Sequence, residues 1–361
     1  MEKKTMYLPH ELILQILLRL PVKSLIRFKC VCKLWFSLIS YDSHFANSHF
    51  QLTTVIHTRR ILFISTSTSQ IRSIDFEASL DDTASLNINF MLPQSYLDLQ
   101  IKGSCRGFLV LWCSSNIYLW NPSTGVHKQI PFPPFGSNLD ATYFYGFGYD
   151  QSTDDYLVVS MSDDSNSANF YSHLEFFSLR ANTWKEIECT TGTHFPYMNA
   201  CDDPRVGSLF NDAIHWLAFR NDIPMNVIVA FHLLERKLFD IHLPDDFDHE
   251  PTDCELWVFR EFLSLRAMED DIVEVWVMKE YNVHSSWIKT LVLPMDGIPI
   301  HYFSPIYSSN GNIIGTDGGT GLVRYNDKGK LLDHHSYCND ACGSQFAMYI
   351  ESLLSLDNEQ D

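Results

Sequence analysis

The chain reads as α+β and multidomain: a small three-helix module in residues 1–50, an all-β propeller in 51–352 and an acidic C-terminal tail in 353–361. Six blades are favoured, with a seventh if the weak stretch 80–102 forms one. Three observations carry this. Near the N-terminus apolar residues recur at three- and four-residue steps between two prolines, the spacing of one helix face. From about Gln51 to Ser352 short runs rich in Val, Ile, Phe, Tyr and Trp alternate with Asp, Asn, Gly and Ser turns, which is strand chemistry. Within that region a strand–turn–strand unit recurs every fifty residues or so, the arithmetic of a propeller blade.

The helices come first. Pro9 suits a first helical turn, where its missing N–H has no partner to lose, and Glu11 places a carboxylate at the positive helix end. Pro21 stops this helix and starts the next. Leu12, Ile13, Ile16, Leu17 and Leu20 form a wide apolar face that Leu14 and Leu18 nearly close into a coat. So short a helix must bury surface on two sides, in its own small core and against something else. Leu8, Pro9, Leu12, Ile16, Leu17, Leu20, Pro21 and Leu25 are the residues expected to face that second surface.

The string Leu8-Pro9, Glu11-Leu12, Ile16-Leu17, Leu20-Pro21, Leu25, Arg27-Phe28, Val31-Cys32-Lys33, Trp35, Leu38-Ile39 and Phe45 resembles an F-box. That module docks on a Skp-type adaptor in cullin-RING ubiquitin ligases. The resemblance implies that the eight residues above contact such an adaptor and, through it, a cullin. The bland alternative is an N-terminal helical cap on a larger domain.

The repeat units begin at Ile61, Ile117, Leu174, Ile228, Val273 and Leu322. Further strands precede most of them, at 106–113, 143–150, 156–161, 213–219, 261–268 and 312–316. Phe346 to Ile350 is expected to complete a blade with a strand near Leu52 to Ile56 and so close the ring. Asn121-Pro122-Ser123-Thr124-Gly125 supplies a reversal, with Pro fixing φ and Gly free to take positive φ. Gly103-Ser104-Cys105, Leu119 to Pro122, Gly146 to Asp150, His215-Trp216-Leu217, Trp276 to Tyr281 and Ser286-Trp287 resemble the F-box-associated domain of the plant F-box/kelch-like family, which includes S-locus F-box proteins. Three positions depart from that pattern: Arg106 for Asn, His232 for Asp, and Arg260-Glu261 for a glycine-rich turn. Paired-glycine kelch signatures are absent.

With 361 residues, 45% of them hydrophobic, the chain can bury a large core. Residues 1–50 hold seven Lys and Arg against three acids, a balance of +4 that leaves −22 for residues 51–361. So acidic a body repels phosphate backbones, which argues against nucleic acid and for a basic partner. No apolar run is long enough to span a bilayer, and Glu2, Lys3 and Lys4 run straight into the first helix without a signal peptide's apolar stretch. Nine scattered cysteines do not form a secreted disulfide framework. A cytoplasmic or nuclear seat is expected.

Candidate chemistry is thin. Trp120, Trp184, Trp216, Trp276 and Trp287 are expected to pack between blades rather than to cage a ligand. His334, His335, Cys338 and Cys342 lack a second ligand cluster at finger-like spacing, so no metal and no cofactor is expected. Acidic pairs such as Asp81-Asp82, Asp154-Asp155 and Asp245-Asp246 suit solvated turns, or a rim that reads a basic target. Gly318-Gly319-Thr320-Gly321 lacks the Lys of a phosphate-binding loop, and no nucleophile elbow is present. The sequence thus implies a non-catalytic substrate-recognition subunit of an SCF-type ligase, whose propeller holds a protein target and needs nothing from the helices to fold. The alternative is a propeller enzyme or carbohydrate-binding module with a helical cap.

Overall fold

The computed structural model describes residues 9–52, 59–68, 70–88, 90–91, 98–113, 116–135, 142–164, 171–189, 195–199, 205–269, 272–294, 303–309, 311–339 and 344–356. Four helices open it: α1 (His10–Leu17), α2 (Val22–Phe28), α3 (Lys33–Tyr41) and α4 (Ser43–Leu52). The fourth exceeds the three expected. Asp42 starts it, since its Oδ1 accepts the Phe45 N–H at 2.8 Å and so satisfies an orphan donor of the first turn. Phe45, Ala46, His49 and Phe50 then make one buried stripe.

Six sheets follow. Blade I holds β1 (Arg59–Ser65), β2 (Gln70–Ile74) and β3 (Thr83–Ser85). Blade II is β4 (Gln100–Cys105), β5 (Phe108–Cys113), β6 (Asn116–Trp120) and β7 (His127–Ile130). Blade III is β8 (Thr142–Asp150), β9 (Asp155–Asp164), β10 (Tyr171–Ser178) and β11 (Thr183–Ile187). Blade IV has an inner strand in two pieces, β12 (Tyr197–Met198) and, after β13 (Arg205–Val206), β14 (Ser208–Phe210). It continues through β15 (Ala213–Arg220), β16 (Met225–His232) and β17 (Lys237–His242). Blade V is β18 (Cys254–Phe259), β19 (Phe262–Glu269), β20 (Ile272–Met278) and β21 (Trp287–Pro294). Blade VI is β22 (Ser304–Ser309), β23 (Asn312–Thr316), β24 (Gly321–Asn326) and β25 (Leu331–Ser336).

The last strand, β26 (Ser344–Ile350), pairs with β1, with Phe346 opposite Phe63, and becomes the inner strand of blade I. Inner strands meet around the ring in the order β26, β4, β8, β14, β18, β22 and back to β26. Ring closure therefore uses the C-terminus, as expected, but the partner is β1. Leu52 ends α4, and residues 53–56 lie outside the described residues. The stretch 80–102 makes no seventh blade among the described residues: Thr83–Ser85 joins blade I and Gln100 opens blade II. The units from Ile117 onward are third and fourth strands of their blades. The Ile61 unit is a second and third strand, because its blade borrows its first strand from the far end of the chain.

Tryptophans join the blades. Trp216 donates its indole N–H to Tyr145 O at 2.7 Å, Trp287 to His242 O at 3.0 Å and Trp184 to Pro131 O at 2.8 Å. Trp120, Trp216, Trp276 and Trp287 are buried, whereas Trp184 is half-buried. Between blades III and IV the backbone itself crosses: Arg205 and Val206 pair in parallel with β8, then β14 pairs with β15. Gly207 makes the switch, its N–H reaching Tyr145 O at 2.7 Å, and a Cβ there would lie 2.4 Å from Ile214 Cγ2.

Candidate adaptor face and its mounting on the propeller

The eight residues expected to face a partner divide sharply. Leu12 and Ile16 are each 52% exposed on α1. Pro9 and Pro21 are exposed and Leu20 is half-buried. Leu17 and Leu25 are corrected: both are buried in the interior that the helices share with the propeller, so they are core. Leu8 lies outside the described residues. Sequence reading missed Val31, Leu34, Phe36 and Tyr41, which are exposed on and before α3. The signal was there, since a small helix bearing Leu34, Trp35 and Phe36 in succession cannot turn all three inward.

The helices are seated on the ring. One continuous core holds Val22, Leu25, Ile39, Phe45 and Phe50 together with Phe108, Trp112, Phe147 and Tyr156 of blades II and III. Leu353, Leu354 and Leu356 fill the same core, so this part of the residues read as a tail is a packed strap. Asn121, fully buried in the turn after β6, donates its amide to Ser352 O, Ser352 Oγ and Leu354 O, each at 3.1 Å. At Gly107 a Cβ would meet Ser352 Oγ at 2.2 Å, so only glycine lets the strap pass.

Arg106 is the clasp on the other side. Its guanidinium lies 3.8 Å from the Tyr149 ring centre and 4.8 Å from that of Phe50, and it donates to Asn47 Oδ1 at 3.3 Å. The residue that departs from the family pattern thus joins α4 to blades II and III. His49 donates from Nε2 to Leu20 O at 2.9 Å, tying α4 to the turn between α1 and α2, and burial holds its pKa below the ordinary value.

Blade contacts continue this side of the ring. Burial pushes the Asp150 carboxyl up, but hydrogen bonds from Ser152, Thr153 and Arg236 overcome it and hold it at about 2. The Arg236 contact, at 2.8 Å, links blade IV to blade III. In blade IV, His215 accepts the Tyr281 O–H at 2.8 Å and donates to Ser208 O at 3.1 Å. Burial pushes its pKa down to about 4. It is a core imidazole joining blade IV to blade V.

The metal candidates diverge. His334 meets Asp317 at 2.8 Å while His335 meets Asp81 at 2.5 Å, and Cys342 lies outside the described residues. Among the described residues no group of three or more His, Cys, Asp or Glu is placed to hold a metal ion. Asp154 and Asp155 serve turns: Asp154 accepts from Tyr149, and Asp155 from Ser178 and the Arg180 N–H. Among the described residues no helix is long and apolar enough to cross a membrane.

A four-helix module seated on a closed six-bladed propeller is the class that the fold defines. Residues 7–46 match the F-box domain model, and residues 61–331 match the F-box associated beta propeller domain model. The chain belongs to this family of F-box proteins. It is 28% identical to the F-box/kelch-repeat protein At3g23880 of Arabidopsis thaliana, over 96% of this chain and 95% of that protein. It is 30% identical to the F-box protein CPR1 of the same plant, over 84% of this chain and 77% of that one.

Proposed function

We propose that the chain is the substrate-recognition subunit of an SCF-type cullin-RING ubiquitin ligase. The F-box docks on a Skp-type adaptor, and the propeller holds a protein target without itself doing chemistry. Exposure of Leu12 and Ile16 on α1, and of Val31, Leu34 and Phe36 before and on α3, on a module otherwise anchored in a shared core, is the observation that carries this reading. An apolar surface of this kind on a soluble fold marks a protein contact. Target lysines held near the charged conjugating enzyme gain rate through effective concentration. The −22 balance of residues 51–361 favours a target with a basic patch, and the seat is the cytoplasm or nucleus.

Because the helices share the propeller core, an F-box deletion is a poor trap. A full-length chain carrying Leu12→Asp and Ile16→Asp should hold its target while losing the adaptor. Affinity capture from plant tissue should then enrich a protein that accumulates, less ubiquitinated, when this variant is expressed. An unchanged ubiquitination pattern would count against the receptor role.

A further inference from the structure

The side of the ring away from the helices carries a cleft between blades IV and V. The seated side includes the turn 233–236, through Arg236 and its Asp150 contact. The link 243–253 leaves the opposite end of β17 and borders a cleft of about 540 Å³. Met225, Pro244 and Phe247 give that cleft apolar walls.

Charge on the link is unbalanced. Asp245, Asp246, Asp248, Glu250 and Asp253 are all exposed within nine positions. Among the described residues the one ion pair they make is Asp245 with His284, at 3.4 Å. The neighbouring wall differs, because Glu274 is already met by Lys289 at 2.8 Å and His249 at 3.1 Å. The side-chain oxygen of Asn226, which also lines the cleft, is buried with no donor among the described residues.

The walls are fixed before any ligand arrives. Trp287 donates to His242 O at 3.0 Å and His284 to Leu243 O at 2.9 Å, holding the start of the link. Arg205 donates to Pro251 O at 2.6 Å and Cys254 O at 3.1 Å, holding its end. A site whose backbone is clamped at both ends loses little entropy on binding.

We propose that this cleft docks a Lys- or Arg-bearing segment of the protein target. The aliphatic stem would lie on Met225, Pro244 and Phe247 while the cationic head sits at Asp245, the one link carboxylate that lines the cleft, with Asp246 and Asp248 close by in the chain. The proposal rests on the receptor reading above and adds the place and chemistry of recognition.

The test uses the full chain bound to a Skp-type adaptor and a fluorescein-labelled peptide of alternating lysine and leucine, with a glutamate–leucine peptide as control. Fluorescence anisotropy should show binding of the lysine peptide that weakens as salt rises. Asp245→Asn, Asp246→Asn and Asp248→Asn together should weaken it roughly tenfold and flatten the salt dependence. Met225→Trp should weaken it by obstruction at unchanged charge. Glu77→Gln, Asp81→Asn and Asp82→Asn on blade I should leave it unchanged. Equal losses from the blade I and link variants, or no loss from the link variant, would overturn the proposal. Adaptor capture is read in parallel: its failure with the wild-type chain would strike the receptor reading, whatever the peptide does.

Discussion

Arg106 sits at a φ of 49°, a left-handed position that costs a non-glycine residue about 1–2 kcal/mol. Its stacking on Tyr149 and Phe50 offsets that strain. Arg106→Ala keeps the strain and loses the stacking, so it should destabilise the chain by about 1–2 kcal/mol in urea unfolding. Glu261 is a contrasting case: its φ is 67° in the two-residue turn from Phe259 to Phe262, and it is exposed. Glu261→Gly should stabilise the chain by about 1 kcal/mol in the same measurement. His215 sets a pH dependence. The unfolded chain protonates it near 6.5 but the folded chain only near 4, so the unfolded state binds more protons between those values. Its contribution is fully present above 6.5 and is lost as pH falls toward 4, with about 2 kcal/mol gone at pH 5. His215→Gln should remove that component, and urea unfolding at pH 7 and pH 5 reads it directly.

Elements were legible where a local rule governs them. Pro9 and Pro21 bound α1, and the apolar runs at 108–113, 213–219 and 312–316 are strands because both their faces are covered. The rest depended on partners far away in sequence. The inner strand of blade IV is split between Tyr197–Met198 and Ser208–Phe210, pieces too short to show a period. Leu353, Leu354 and Leu356 look like the apolar remnant of an acidic tail until Asn121 and Gly107, more than two hundred residues earlier, provide their seat. Leu17 and Leu25 look outward-facing until the propeller core is placed against them. Burying each strap leucine contributes about 1.5–3 kcal/mol. A chain ending at Ser352 should therefore melt at lower temperature, with faster hydrogen exchange in α2, α3 and α4 and little change in blades V and VI. Uniform exchange across the molecule would contradict a local strap.

At the scale of the whole molecule, the ring closes through β26 and β1, so blade I is completed only by residues almost three hundred positions further along the chain. Residues from 51 onward, expected to fold without the helices, share part of their burial with them. Residues of all four helices, blades II and III and the strap are parts of one core. A fragment beginning at residue 53 should be folded and β-rich by circular dichroism yet less stable than the full chain, because Phe108, Tyr156 and Leu354 lose their cover. The same shared core holds the exposed face of α1 and the opposite face of the ring in one fixed relation, which suits the proposed receptor role.

Adaptor binding tests this most directly. In calorimetry a purified Skp-type adaptor should bind the full chain. Leu12→Asp with Ile16→Asp should weaken binding by about a hundredfold or more, given ~1.5–3 kcal/mol for each buried side chain. Both residues are more than half exposed, so the variant's circular dichroism and unfolding midpoint should match wild type. A variant that keeps its fold and binds the adaptor as tightly as wild type would contradict the assigned face.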